Sequence, residues 1–171
     1  MRRTKVSSLS VLSMLIIGIT SLAQTSVDKK VGPPHAGKHH KFVTPDKVVW
    51  TQPPTLPAGF RMAVIDGDPA KAGAPFTLRI RGTDGRVPPH WHPTDEHLTI
   101  LQGTFLLGRG EKFDQAALEA LPAGSYGFMP KQVRHFGQLK GDTIVQVHGI
   151  GPFKVIYVNP ADDPSAKSSK K

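Results

Sequence analysis

Gly85-Arg86-Val87-Pro88-Pro89-His90-Trp91-His92-Pro93-Thr94-Asp95-Glu96-His97-Leu98-Thr99-Ile100-Leu101-Gln102-Gly103 gathers three of the chain's eight histidines and a glutamate into one short run. Imidazole nitrogens and carboxylates are what a borderline divalent ion such as Zn, Fe, Mn, Ni or Cu takes as ligands. In extended backbone alternate side chains share a face. His90 and His92 therefore point the same way, and a continued strand adds Glu96 to that face. His135, further along the chain, is the single partner histidine. The reading is a metal site.

Outward from this run the sequence is a series of short apolar stretches broken by turn chemistry. Arg61 to Asp66, Phe76 to Arg81, His97 to Leu101, Thr104 to Leu107, Ser125 to Met129, Arg134 to Gln138, Thr143 to His148 and Lys154 to Val158 read as strands, with one early strand near Lys47 to Thr51. Asp66-Gly67-Asp68-Pro69, Gly82-Thr83-Asp84-Gly85, Gly108-Arg109-Gly110, Pro122-Ala123-Gly124 and Lys140-Gly141-Asp142 separate them. Only Phe113 to Leu121 looks helical. Many short strands with such punctuation predict an all-β sandwich or closed barrel, with one short helix.

The run from Gly85 to Gly103 resembles the first motif of the cupin family, which is Gly, five residues, His-x-His, three or four residues, Glu, six residues, Gly. Here four residues separate Gly85 from His90. The family's second motif is Gly, five residues, Pro-x-Gly, two residues, His, three residues, Asn. It is matched by Gly124, Pro130-Lys131-Gln132 and His135, with Gln132 in place of the glycine and Leu139 in place of the asparagine. Pro89 to His97 is also similar to the signature of small single-domain bacterial cupins.

The resemblance implies a single-domain jelly roll, the double-stranded β-helix barrel, over residues 47–160, in which His135 comes to lie opposite the His-x-His strand. It also implies a ligand set of His90, His92, Glu96 and His135 around one divalent ion, with one or two positions left for water or substrate. The six-residue gap to Gly103 selects Glu96 over its neighbour His97, which is then either a group just behind the ligands or an outward-facing one. Gln146 and His148 alternate with Val145 and Val147, so they line either the barrel or its outer surface. Trp91 reads as sheet packing, and Phe105, Tyr126, Phe128 and Phe136 as barrel core or pocket wall.

The 171 residues suffice for one domain, and no repeat suggests a second. Arg2, Arg3 and Lys5 precede an apolar run from Val6 to about Leu22 and a small-residue site at Ala23, which reads as a secretory signal peptide over residues 1–23. The mature protein is then periplasmic or secreted, with no transmembrane anchor. The absence of cysteine excludes a disulfide framework and thiolate ligands.

The formal charge of +9 belongs largely to the ends: residues 48–160 carry 11 basic and 9 acidic groups. A specific nucleic-acid partner has little support. The basic segment 24–46, with His35, His39 and His40, reads as a linker, and residues 161–171 as a flexible tail.

Fold and ligands do not fix a reaction. The leading expectation is a metal-dependent enzyme, oxygenase-like or isomerase-like, with Glu96 as ligand or general base and a small, anionic substrate such as an enolate, phenolate or carboxylate. The alternatives are a non-catalytic module that binds a small ligand or metal, and a structural homodimer.

Overall fold

A computed structural model describes residues 40–168, and the signal-peptide reading and most of the linker lie outside them. Eight strands form one antiparallel sheet: β1 (Arg61–Gly67), β2 (Pro75–Thr83), β3 (Arg86–Trp91), β4 (Glu96–Arg109), β5 (Glu119–Pro122), β6 (Tyr126–Met129), β7 (His135–Ile150) and β8 (Ile156–Tyr157). The two long strands, β4 and β7, pair along most of their length, from His97 opposite His148 to Arg109 opposite His135. On its other edge β7 pairs with β2 through its second half and with β3 through its first. β4 likewise carries β6 on its first half and β5 on its second. Two long strands shared in this way roll the sheet over on itself and leave an inner face.

That inner face is apolar. Phe76 and Leu78 of β2, Leu98 and Ile100 of β4 and Leu139, Val145 and Val147 of β7 are buried together, with Phe60 and Leu56 covering them from the preceding segment. Burial at this scale stabilises by about 25 cal/mol per Å² of apolar surface removed from water. Along β7 the alternation is clear: Val145 and Val147 face the core, while Gln146 bonds to Arg79 Nε at 3.1 Å on the outside.

Several expectations need correction. His97–Leu101 and Thr104–Leu107 are one strand, and so are Arg134–Gln138 and Thr143–His148. The glycine-bearing breaks inside them are bulges, marked in β4 by register shifts between Ile100 and Gln102 and between Gln102 and Thr104. Gly103 sits there at φ 70°, and a Cβ on it would meet Asp142 O and Thr143 Oγ1 at 2.5 Å, so the bend is open only to glycine.

Of Phe113 to Leu121, expected to hold one or two helical turns, a single turn is helical. Asp114 accepts a hydrogen bond from Ala116 N and holds a single 3-10 turn, Gln115–Ala117. Glu119 to Pro122 then pairs with Leu107 to Thr104 because the edge of β4 is open there. The early segment forms a 3-10 turn, Pro45–Lys47, and one bridge, Thr51 to Met62, instead of a strand. Part of the expected tail carries a 3-10 turn, Pro160–Asp162, and the short helix α1 (Pro164–Ser168).

Candidate metal centre

β3 and the turn after it place the first two histidines. In an unbroken strand Val87 and His90 would face opposite ways. A register shift between them, across Pro88 and Pro89, returns His90 to the inner face beside Val87. Proline suits this position because it has no N–H to leave unpaired. His90 then lies directly opposite His135 of β7, ring centroids 4.3 Å apart, and His92 follows two residues later on the same side.

Glu96 is not on a continuation of that strand. The chain turns at Pro93-Thr94-Asp95, and Glu96 opens β4. It reaches the same point from the neighbouring strand, with Oε2 3.6 Å from His92 Nε2 and 3.5 Å from His135 Nε2. All four residues are buried, between 3% and 7% exposed.

Backbone carbonyls fix the imidazoles. His90 Nδ1 lies 2.7 Å from Pro88 O, His92 Nδ1 2.7 Å from Lys154 O, and His135 Nδ1 3.0 Å from Val133 O. A carbonyl only accepts, so each Nδ1 carries the hydrogen and each neutral ring offers its Nε2 lone pair. The donor atoms of the three histidines lie within 4.8 Å of one another. Among the described side chains, His92 Nε2 is the one buried polar atom with no hydrogen-bond partner. Orphaned buried nitrogens are rare. Three converging lone pairs and a carboxylate fit a divalent ion, whose cis ligands at about 2.1 Å stand about 3 to 3.5 Å apart. These three buried histidines could hold a metal ion.

The electrostatics agree. Burial, then the neighbouring His135 and His92 rings, hold His90 down at about 3. Burial also lowers His92, against the pull of Glu96. Burial alone would raise the Glu96 carboxyl, but His92 and His135 overcome it and bring it to about 2. His135 is raised, because its hydrogen bond and charge interaction with Glu96 outweigh burial. Without an ion, the Glu96 carboxylate and the His135 ring each favour the charged form of the other.

The remaining sequence candidates fall elsewhere. His97 points to the outer face, where its ring stacks on His148 at 5.1 Å and its Nδ1 lies 2.6 Å from Tyr126 Oη. Strand alternation that turns Glu96 inward turns His97 out, and Gln146 and His148 follow the same rule on β7, so none of the three lines the pocket. Tyr126 and Phe128 are exposed beside them. Phe136 is buried on the outer side under Phe113, whereas Phe105 does line the inner cavity. Trp91 faces Arg134 outside.

Two features carried no local signal in the sequence: the carbonyl of Lys154, and the Phe153 ring stacked on His92 at 4.5 Å and 22°. Both come from a segment distant in the chain.

The second motif keeps its turn without its glycine. Gln132 takes φ 66°, and its N–H donates to His92 O at 2.8 Å, tying the two motifs together. A left-handed non-glycine residue costs roughly 1 kcal/mol, and Gln132 is exposed. Gln132→Gly should therefore stabilise by about 1 kcal/mol and raise the melting temperature by about 2–4 °C. Calorimetry checks this. Leu139, in the asparagine's place, is core and 1% exposed.

No family model matches the chain, and no curated protein does. Solved structures do. The polyketide cyclase RemF from Streptomyces resistomycificus is 19% identical, over 77% of this chain and 94% of that one, with a TM-score of 0.60. A candidate acetylacetone dioxygenase from Methylibium petroleiphilum PM1 is 18% identical, over 77% and 94%, with a TM-score of 0.55. A double-stranded β-helix protein from Klebsiella pneumoniae is 14% identical, over 69% and 98%, with a TM-score of 0.51. The chain has the double-stranded β-helix fold seen in cupins.

Proposed function

We propose that the protein is an exported, metal-dependent cupin enzyme of oxygenase or isomerase type, acting on a small enolisable substrate. The observation that carries the reading is the unpartnered, buried His92 Nε2 among three imidazoles whose tautomers are already set. His90, His92 and His135 would hold the ion, with Glu96 as fourth ligand or as base. A divalent ion there supplies Lewis-acid polarisation of a bound oxygen, and a redox-active one adds oxygen chemistry. Export is supported by the basic and apolar pattern of residues 2–22.

Glu96 is the sole carboxylate among the residues lining the cavity. A proton leaving an acidic C–H or O–H of the substrate thus has one acceptor. Burial favours the protonated carboxyl, and the flanking rings hold it ionised. Burial strengthens Glu96 as a base and the neighbouring His92 and His135 rings weaken it, so its proton affinity is set by the groups packed against it. Three neutral histidines and one carboxylate leave a dication with net positive charge, which suits an enolate. Two of the fold neighbours have names that point to polyketide and acetylacetone chemistry, and a 1,3-diketone is the first compound to test.

Elemental analysis of the untagged mature protein should find about one ion per chain. Pentane-2,4-dione should be consumed, with or without oxygen uptake according to the ion. Glu96→Gln should lower turnover by about 10²–10⁴-fold, the usual contribution of a positioned acid or base. A protein that takes up none of Fe, Mn, Ni, Cu or Zn would overturn the reading.

A further inference from the structure

The barrel interior is divided. The chamber at the histidines and Glu96 has a volume of about 50 Å³. Beside it, at the mouth formed by β1, β2 and the 153–156 segment, lies an apolar groove of about 310 Å³. Leu56, Ile80, Phe153 and Val155 line both. Organic ligands occupy sites of about 300–1,000 Å³, so the inner chamber admits a head group and the groove is the size of a ligand body.

We propose that the groove is the second compartment of the same site, with the side chains of Leu56 and Phe153 as the partition, and that its ligand is a small molecule with an uncharged, apolar body and one oxygen-chelating head. The proposal rests on the metal-site reading for the head and on the groove itself for the body.

Opening the partition would ask for rotation of these two side chains and no movement of the backbone. Leu56 sits on a turn closed by its own N–H to Pro53 O at 3.3 Å, and Thr55 O is held by Tyr157 Oη at 2.8 Å. The Phe153 backbone is anchored by its N–H to Pro69 O at 2.7 Å. These bonds hold both backbones, which leaves the χ angles as the freedom to open. Phe153 also stacks on His92, so its position is coupled to a candidate ligand of the ion.

The chemistry of the lining selects the occupant. Apart from Glu96, the histidines and the exposed Lys154 at the rim, no ionisable side chain faces either compartment among the described residues. A ligand with a charged or hydroxylated body would leave its polar groups unpaired there, which costs roughly 1–3 kcal/mol for each.

The test uses the full mature protein and two probe series. For metal-loaded protein, 1,3-diketones lengthened at one end from pentane-2,4-dione should bind about three- to fourfold more tightly for each added methylene that enters the groove. Ala70→Phe, an exposed lining position filled with a ring, should abolish that gain and leave pentane-2,4-dione unchanged. For metal-free protein, toluene should bind, as read by ligand-observed NMR, and Ala70→Phe should lose it. An affinity flat with chain length, a gain that survives Ala70→Phe, or no toluene binding overturns the groove. Elemental analysis of the same samples separately decides whether an ion is held.

Discussion

His135→Ala and His92→Ala should each lose the bound ion, with dissociation constants raised by more than about 100-fold. Residues that merely support metal ligands cost about 10–100-fold, and these two present their own lone pairs to the site. His97→Ala and His148→Ala should retain the ion at wild-type affinity, since their rings lie stacked on the outer face. His39→Ala, in the amino-terminal segment, is a further control that should retain it.

The measurement is a competition titration against a chromophoric chelator, with elemental analysis after dialysis and circular dichroism to show that each variant is folded. Equal losses from His97→Ala and His135→Ala would remove the assignment.

The site was legible where its geometry is local. The two-residue period of extended chain put His90 and His92 on one face, and strand alternation separated Glu96 from His97. The approach of His135 was legible only through resemblance to a known motif, because it depends on register between β3 and β7. Bulges defeated the strand reading for a physical reason. Gly103 and Gly141 have the backbone freedom that turns need, and here it bends strands that continue past them. The helical stretch expected over Phe113 to Leu121 is cut to one turn because an open edge on β4 captured Glu119 to Pro122. Leu56, Phe60 and Phe153 left no trace, since what makes them walls of a chamber is packing between segments remote in sequence.

Acid should both strip the ion and loosen the fold, and the sign follows from the four buried groups. His90, at about 3, and the lowered His92 stay neutral in the folded protein, while in the unfolded chain each takes a proton below about 6.5. Their contribution is lost as pH falls from there toward 3. Glu96 acts in the same direction lower down: its stabilisation is present above its unfolded value of 4.5 and is lost as pH falls toward 2. His135 opposes them, because a raised pKa stabilises below the unfolded value and fades as pH rises through the folded one. That opposition is confined to pH above about 6.5, so below it His90 and His92, joined by Glu96 from about 4.5, act alone and the metal-free protein should lose melting temperature progressively.

A proton on His135, favoured there by Glu96, competes with the ion. The ion's affinity should fall about tenfold for each pH unit below the raised pKa of His135. Calorimetric titrations in buffers of different ionisation enthalpy would count the displaced proton. An affinity independent of pH between about 5 and 8, where an ordinary histidine titrates, would show that no proton occupies the place of the ion.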